Sequence, residues 1–333
     1  MELPPLIGVI TKSLKMELPS SDWRDHKEPH ASLRTSSNLF IMNLTVADFL
    51  MGVTDLPVFA ISSLKGCWFL EFTGCQIYGM TTGVFGLVTI HTLAAIALDR
   101  YIVVVRTLNP RNRMPKSTSV IIIVIIWMFS LVWSAVPLTG ISMYRLEGLG
   151  TSCTFNYVKR NTAEIYYFLG LISFNLLMPF LIINFSYLGI YVNVRRIKRE
   201  LSLLMDSHGY ATRKRVQVQA EVRTAITSAV IVTIFILSWM PYAVISFYGL
   251  FGPSSAPVKP LVSMMPNFLA KLSIVANPIL YSIGHPNVRK KIVGFLPKFS
   301  YQSSFRQVSG VTVQESFNHH SVSLHEFTGR ISS

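Results

Sequence analysis

The stretch 120–138 reads VIIIVIIWMFSLVWSAVPL and contains no charged residue. A helix that crosses the hydrocarbon core of a bilayer needs about 20 mostly apolar residues. This stretch meets that requirement almost without interruption. It therefore predicts a membrane-spanning helix.

The same length criterion predicts six spans along the chain. They are 38–62, 73–105, 118–138, 165–191, 223–251 and 259–282. Hydrophobic residues make up 50% of the 333 positions and charged residues only 14%, which is too few charges to cover the surface of a soluble protein. We therefore predict an all-α, polytopic membrane helix bundle, and a multi-pass protein of the plasma membrane.

The basic residues indicate how the bundle is oriented. They concentrate in connections on one side, at 106–116, 195–215 and 289–291, which marks that side as cytoplasmic. The net charge of +14 does not indicate a nucleic-acid partner, because the basic residues lie between apolar runs and not as a patch on a soluble domain. Six spans would place both termini in the cytoplasm.

The chain divides into three parts by composition. Residues 1–31 contain no candidate span, 32–298 hold the spans and end in the amphipathic stretch 287–296, and 299–333 are polar and rich in Ser, Thr, His and Gln. The amphipathic stretch suits a short helix on the inner leaflet or a basic anchor. The last part is predicted to be a disordered cytoplasmic tail.

Short motifs recur in order through the spans. They are Asn43-Leu-Thr-Val-Ala-Asp48, Asp99-Arg100-Tyr101, Trp127, Pro179, Ser238-Trp239-Met240-Pro241-Tyr242 and Asn277-Pro278-Ile-Leu-Tyr281. This ordered set resembles the signatures of the rhodopsin-like G-protein-coupled receptors. The resemblance implies a seven-helix receptor, not an enzyme, with a heterotrimeric G protein as its partner. Receptor kinase and arrestin would then act on the Ser- and Thr-rich tail.

The chain departs from that family at its beginning. The family has seven spans, whereas the motifs of its second span already appear at 43–48 and nothing before residue 32 is long and apolar enough to cross a membrane. We therefore expect the rhodopsin-like fold with its first helix missing.

Lys271 narrows the resemblance to the opsins. It lies six residues before Asn277, and the stretch Ala270-Lys271-Leu-Ser-Ile-Val-Ala-Asn277-Pro278 resembles the opsin pattern in which this lysine carries retinal as a Schiff base. The isomer, 11-cis or all-trans, stays open. Without retinal, the lysine would have to reach an aqueous cavity or pair with Asp55.

The resemblance also bears on the anion that a charged Schiff base needs. The position three residues after Cys75, which is glutamate in vertebrate visual opsins, is Tyr78 here. Glu147, six residues before Cys153, matches the counterion position of many non-visual opsins, and Asp55 is the alternative. These departures suggest a non-visual opsin, similar to neuropsins or to the peropsin and photoisomerase group.

Other pocket residues follow from helical spacing and the resemblance together. Phe235, Trp239 and Tyr242 share one helix face, and Gly86 matches a small residue that leaves room for the ring of retinal. The aromatic residues could equally serve as core packing. Cys75 and Cys153 both lie on the oxidising side and could form a disulfide, although a pairing of Cys67 with Cys75 is also open.

These residues together suggest a light-driven switch. Light would isomerise retinal, the change would press on Trp239, and the helix would pivot at Pro241. On the cytoplasmic side Arg100 would release Glu221 while Asp99 stays nearby, opening a cleft for a G protein. A retinal photoisomerase and a receptor for a diffusible ligand are the rival functions. No cluster of residues suggests a metal site.

Overall fold

The computed structural model describes residues 36–105, 114–158, 160–203, 210–253, 255 and 258–284. The side chains of 201–203, 210–215 and 278–284 lie outside the description. The helices are α1 (Ser36–Lys65), α2 (Glu71–Val105), α3 (Lys116–Ala135), α4 (Thr162–Ile172), α5 (Met178–Leu203), α6 (Tyr210–Phe251) and α7 (Pro260–Gly284). A 3-10 turn, Val136–Thr139, extends α3, and a π-helical turn, Ser173–Leu177, joins α4 to α5.

The prediction of a polytopic helix bundle is confirmed. Within the described residues, five helical segments are long and apolar enough to cross a membrane: Ser36–Lys65, Glu71–Val105, Lys116–Thr139, Thr162–Glu200 and Val216–Phe251. Helix α7 has 25 residues and coincides with the sixth predicted span, 259–282. Helix α6 begins at Tyr210, thirteen residues before the predicted span 223–251, because hydropathy detects only the part of a helix that lies in the apolar layer.

Helix α2 is the centre of the bundle. It contacts α1, α3, α5 and α6, and the side chains of Val88, Leu93 and Ala97 are fully buried. Phe40 from α1 and Ile231 from α6 complete the same core cluster and are also fully buried. A central helix with several partners must be apolar on most of its circumference, which explains why the predicted span 73–105 shows little amphipathic character.

Hydrogen bonds between buried polar side chains fasten helices that apolar burial alone would not hold in register. Asn43 of α1 donates through Nδ2 to Thr92 Oγ1 of α2 at 2.8 Å, and Trp127 Nε1 of α3 donates to Asn43 Oδ1 at 2.8 Å. Lipid chains are as apolar as the helix surfaces, so contacts of this kind contribute to specific helix association in a bilayer. One asparagine thus connects three helices.

The connection between α3 and α4 contains a β-hairpin that the sequence analysis did not predict. Strands β1 (Tyr144–Glu147) and β2 (Ser152–Phe155) pair antiparallel, with Glu147 opposite Ser152. The turn uses Gly148 and Gly150 at positive φ, +60° and +75°, which only glycine adopts at little cost. Four-residue strands separated by glycines carry too short an alternating pattern to stand out from a loop.

A disulfide joins this hairpin to the bundle. Cys153 of β2 is bonded to Cys75 near the beginning of α2, with Cα atoms 5.5 Å apart, while Cys67 is free and exposed. The predicted pairing of Cys75 with Cys153 is confirmed, and the alternative of Cys67 with Cys75 is wrong. The hairpin is thereby fixed to the outer end of α2.

The predicted parts of the chain near both termini lie outside the described residues. These are 1–31, the amphipathic stretch 287–296 and the tail 299–333. The absence of a first family helix, the cytoplasmic location of both termini and the division into three parts therefore stay predictions.

The role of Asn43 can be tested by replacing it with leucine. Asn43→Leu leaves the Trp127 indole N–H and the Thr92 hydroxyl without their partner, so we expect a loss of roughly 1–2 kcal/mol in the free energy of unfolding. The measurement is the thermal denaturation midpoint of the purified protein in detergent. Asn184→Leu is the matched control, because the exposed Asn184 amide donates only to Phe180 O of its own helix. Equal midpoints for the two variants would contradict the assigned role.

Candidate functional site: a lysine-bearing cavity beneath the hairpin

A cavity of about 170 Å³ lies among α2, α4, α6 and α7, with the hairpin over it. Its wall is mostly apolar and aromatic and includes Phe168, Phe235 and Trp239. Two ionisable side chains, Glu147 and Lys271, also line it. A concave apolar cavity with few polar groups is the usual form of a small-molecule site.

Lys271 brings an amine into this cavity from the middle of α7. Its side chain is only 4% exposed, and Nζ lies 5.2 Å from the ring centroids of Phe59 and of Tyr78. Among the described residues, no carboxylate lies within the 4.0 Å of a salt bridge to this amine. The alternative that Lys271 forms an ion pair with Asp55 is therefore not observed. Burying an amine in a membrane without a close ion pair costs free energy. Such a residue is therefore a candidate for a functional role.

Glu147 approaches the cavity from the hairpin. Its carboxylate accepts a hydrogen bond from Tyr157 OH at 2.8 Å on Oε1 and one from Asn267 Nδ2 at 2.9 Å on Oε2. Burial raises the pKa of Glu147 to about 7, and the Tyr157 hydrogen bond and the charge of Lys271 partly oppose that rise. Near neutral pH this group can therefore be either charged or neutral.

Asp55, the alternative anion, is held differently. It is 1% exposed and accepts hydrogen bonds from Thr54 at 3.1 Å, Thr81 at 3.0 Å and Thr82 at 2.9 Å. It is not among the residues that line the cavity. The threonine hydroxyls satisfy this carboxylate at the interface of α1 and α2, outside the cavity lining.

The aromatic residues predicted on one face of α6 form one wall of the cavity. Phe235 stacks on Trp239 with ring centroids 5.6 Å apart, and Tyr242 meets Trp239 edge-on at 6.2 Å. Tyr242 OH is hydrogen-bonded to Thr154 of the hairpin. A Cβ atom added to Gly86 would lie 3.2 Å from Trp239 Cη2, so the glycine keeps the space in front of the tryptophan ring open.

Tyr78, in contrast to these aromatic residues, does not line the cavity. It is buried against Cys75 and Cys153, and its ring packs edge-on to Trp68 at 5.2 Å. Its other neighbour is the Lys271 amine described above. Tyr78 thus stands behind the lysine as part of the support of the site and offers no negative charge.

The second predicted cluster lies at the opposite ends of the same helices. Arg100 NH2 is 2.7 Å from Asp99 Oδ2, and Arg100 NH1 is 3.6 Å from Glu221 Oε2 of α6. Tyr101 packs against Phe185 with ring centroids 5.3 Å apart. These contacts join the cytoplasmic part of α2 to α5 and α6.

The motif Asn277-Pro278-Ile-Leu-Tyr281 near the end of α7 lies only partly within the described side chains. Asn277 Nδ2 donates to Asp48 Oδ2 at 3.1 Å and ties α7 to α1. Pro278 and Tyr281 lie within α7, but their side chains lie outside the described residues. Their part in a switch stays a prediction.

Two residues of the site were missed by the sequence analysis. Asn267 lies four residues before Lys271 on the same face of α7, so helical periodicity from the lysine could have found it. Tyr157 follows the hairpin, and no periodicity connects a loop residue to its partner Glu147. Both donate hydrogen bonds to that carboxylate.

Comparisons with known proteins agree with this architecture. The sequence profile of the family "7 transmembrane receptor (rhodopsin family)" matches residues 29–281. The chain is 37% identical to melanopsin of Mus musculus over 265 residues, 80% of this chain and 51% of that protein. It is 35% identical over 302 residues to the GQ-coupled rhodopsin of Mizuhopecten yessoensis, 86% of this chain and 60% of that protein.

The fold is also similar to a solved structure. The crystal structure of squid rhodopsin superposes with a TM-score of 0.75 at 33% identity, covering 81% of this chain and 77% of that one. The chain belongs to the rhodopsin family of seven-transmembrane receptors, and within that family it groups with the opsins. The predictions of a multi-pass membrane receptor and of a protein that is not an enzyme are thereby confirmed. The chain spans only 51% and 60% of the length of the two curated relatives.

The raised pKa of Glu147 predicts a pH-dependent stability. The folded state holds the Glu147 proton up to about pH 7, whereas the unfolded chain loses it near its ordinary value of 4.5, so stability falls as the pH rises between these values. The loss is up to about 3 kcal/mol. Glu147→Gln should remove the part of the decline that Glu147 contributes, as measured by comparing thermal denaturation midpoints at about pH 5 and about pH 8 with those of the unaltered protein.

The control for this test is Glu71→Gln, which removes a carboxyl that is exposed at the beginning of α2. It reports how much of the pH dependence follows from the loss of a surface charge. A Glu147→Gln protein that loses stability with rising pH as steeply as the unaltered protein would contradict the burial of a titrating carboxyl.

Proposed function

We propose that this chain is a light-sensing opsin of the plasma membrane, which binds retinal covalently through Lys271 and activates a heterotrimeric G protein. The observation that carries the proposal is the Lys271 amine, buried and without a close ion pair, at an aromatic cavity. Retinal supplies light absorption and a light-driven change of shape. The names of the relatives, melanopsin and rhodopsin, agree with this function.

The cavity suits an elongated apolar aldehyde. Its lining is mostly apolar and aromatic, and the missing side chain of Gly86 opens a space against Trp239. The Lys271 amine can condense with an aldehyde, and the carbonyl oxygen then leaves as water. The competing idea, a lysine that reaches water, finds no support because Lys271 is only 4% exposed.

Glu147 is the better candidate for the anion that balances the charge on the lysine nitrogen. It shares the cavity with Lys271, and the charge of Lys271 favours its ionised form. Asp55 interacts with the same lysine electrostatically. Its carboxylate, however, already accepts hydrogen bonds from three threonine hydroxyls, and it does not line the cavity. We assign the counterion role to Glu147 and a structural role to Asp55.

Helix α6 connects the cavity to the cytoplasmic side, so a change of shape in the cavity could be transmitted along it. Trp239 lies in the cavity wall, two residues before Pro241, and proline removes a backbone hydrogen bond from the helix interior. At the inner end of the same helix Glu221 pairs with Arg100. A push on Trp239 that bends α6 at Pro241 would separate Glu221 from Arg100, and the opened space would admit a G protein.

The first test is an absorption spectrum of the purified protein after incubation with 11-cis and with all-trans retinal. We expect a hydroxylamine-sensitive band well to the red of free retinal, absent from Lys271→Ala. Lys65→Ala, the same change at an exposed lysine at the end of α1, should keep the band. A folded protein that forms no such band with either isomer would overturn the proposal and favour a receptor for a diffusible ligand.

The second test concerns the Arg100–Glu221 pair. Glu221→Gln removes an ion pair that is partly shielded from solvent, worth about 1 kcal/mol, so light-independent nucleotide exchange on a G protein should rise about fivefold. Glu200→Gln is the control, because among the described residues Glu200 forms an exposed ion pair with Arg196 on its own helix. Retinal binding without any light-dependent nucleotide exchange would favour the photoisomerase function.

A further inference from the structure

One face of α7 carries three polar residues at intervals of four. Ser263, Asn267 and Lys271 lie one turn apart, and all are buried, with 4%, 8% and 4% of their surface exposed. Residues at this spacing stack on one side of a helix. This polar face of α7, defined by these three residues, runs from the outer end of the helix to the amine in the cavity.

The hairpin covers that face. Helix α7 contacts β1, and a Cβ atom added to Gly148 would meet Pro260 O and Met264 Cβ at 3.3 Å. The hairpin turn therefore lies directly on the first turn of α7. Buried polar groups at such a contact must find partners within it.

Asn267 supplies those partners at the closed end of the hairpin. Its Nδ2 donates to Glu147 Oε2 at 2.9 Å and to Ser152 Oγ at 3.0 Å. An amide NH₂ group has two hydrogens, so it can form both bonds at once. Glu147 and Ser152 are cross-strand partners, so one amide nitrogen binds both sides of the hairpin next to its turn.

We propose that Asn267 is the positioning residue that holds the Glu147 carboxylate toward the Lys271 end of the cavity and favours its charged form. Asn267 lines the same cavity one helical turn before Lys271, and its hydrogen bond to the Glu147 carboxylate is the contact through which it acts. The functional meaning of this role rests on the proposed function, whereas the hydrogen bond itself does not require retinal.

Three other groups that can carry charge or donate a hydrogen bond face Glu147. Tyr157 comes from the chain after β2, Tyr242 from α6 and Lys271 from α7. Tyr157 donates a hydrogen bond to Oε1 of the carboxylate, and Asn267 donates one to Oε2. Removing Asn267 leaves Oε2 without this donor, so the neutral acid becomes more favourable. A hydrogen bond to a carboxylate is about twice as strong as one between neutral groups.

The experiment is an infrared pH titration of the ligand-free protein, which follows the carbonyl stretching band of the protonated Glu147 carboxyl. Glu147→Gln identifies the band by its disappearance. In Asn267→Leu we expect the titration midpoint to rise by about one pH unit, a tenfold change in the proton affinity of Glu147. Asn184→Leu, the same change at the exposed amide of α5, should leave the midpoint where it is in the unaltered protein.

A second variant keeps the test decisive if leucine prevents folding. Asn267→Ala removes the same donor and leaves room for a water molecule, so its midpoint should rise by a smaller amount. An unmoved midpoint in both folded variants would overturn the proposal. An equal shift in Asn184→Leu would do so as well, because it would show a general effect on the bundle.

The outcome separates this proposal from the proposed function. If the Asn267 variants shift the midpoint but the unaltered protein forms no band with retinal, the positioning role stands and the opsin function fails. If the retinal band forms and the midpoint does not move, the opsin function stands and Asn267 has no role in positioning the carboxylate.

Discussion

The absence of water from the membrane interior is the constraint on which the rest of this structure depends. Each polar group that the helices bury has to find its partner within the protein. Asn43 satisfies Trp127 and Thr92, three threonines satisfy Asp55, and Asn277 satisfies Asp48. Lys271 departs from this rule, because its amine has ring faces at 5.2 Å and no close carboxylate among the described residues. Within the part of the chain that the structure describes, the helices thus leave a buried amine without a close ion pair at the cavity.

The two carboxylates near Lys271 show how location assigns different roles to the same chemical group. Asp55 sits between packed helices and is enclosed by hydroxyls, so its environment can hardly change without moving α1 against α2. Glu147 sits on a hairpin, faces the cavity and has one donor on each oxygen. Its pKa of about 7 places the change of charge near physiological pH. A group poised in this way responds to small changes in neighbouring charge, a property that the proposed counterion role requires.

The sequence predicted the helices well and the connection above the cavity poorly, for a physical reason. A span needs about 20 apolar residues and is visible in composition alone. The motifs around Asp48, Arg100, Trp239 and Asn277 added the order of the helices. The hairpin is too short for its alternation to be recognised, and its partners come from distant parts of the chain. The Tyr157–Glu147 and Asn267–Glu147 bonds join segments that neither spacing nor propensity relates. The spacing to Cys153 points to Glu147, whereas the hydrogen bonds of Tyr157 and Asn267 to its carboxylate become visible only in three dimensions.

The disulfide between Cys75 and Cys153 implies an order of assembly during biosynthesis. The hairpin can be tied down only after this loop has crossed into a compartment that oxidises thiols, because reducing cytosol would keep both cysteines as free thiols. Glu147 belongs to the same hairpin, so the lysine acquires its neighbouring carboxylate only after translocation. The helices can insert first, but the wall that closes the cavity from the outside is completed later. Oxidative folding in the secretory pathway therefore precedes a ligand-competent cavity, and loading with a small molecule belongs to the stages that follow.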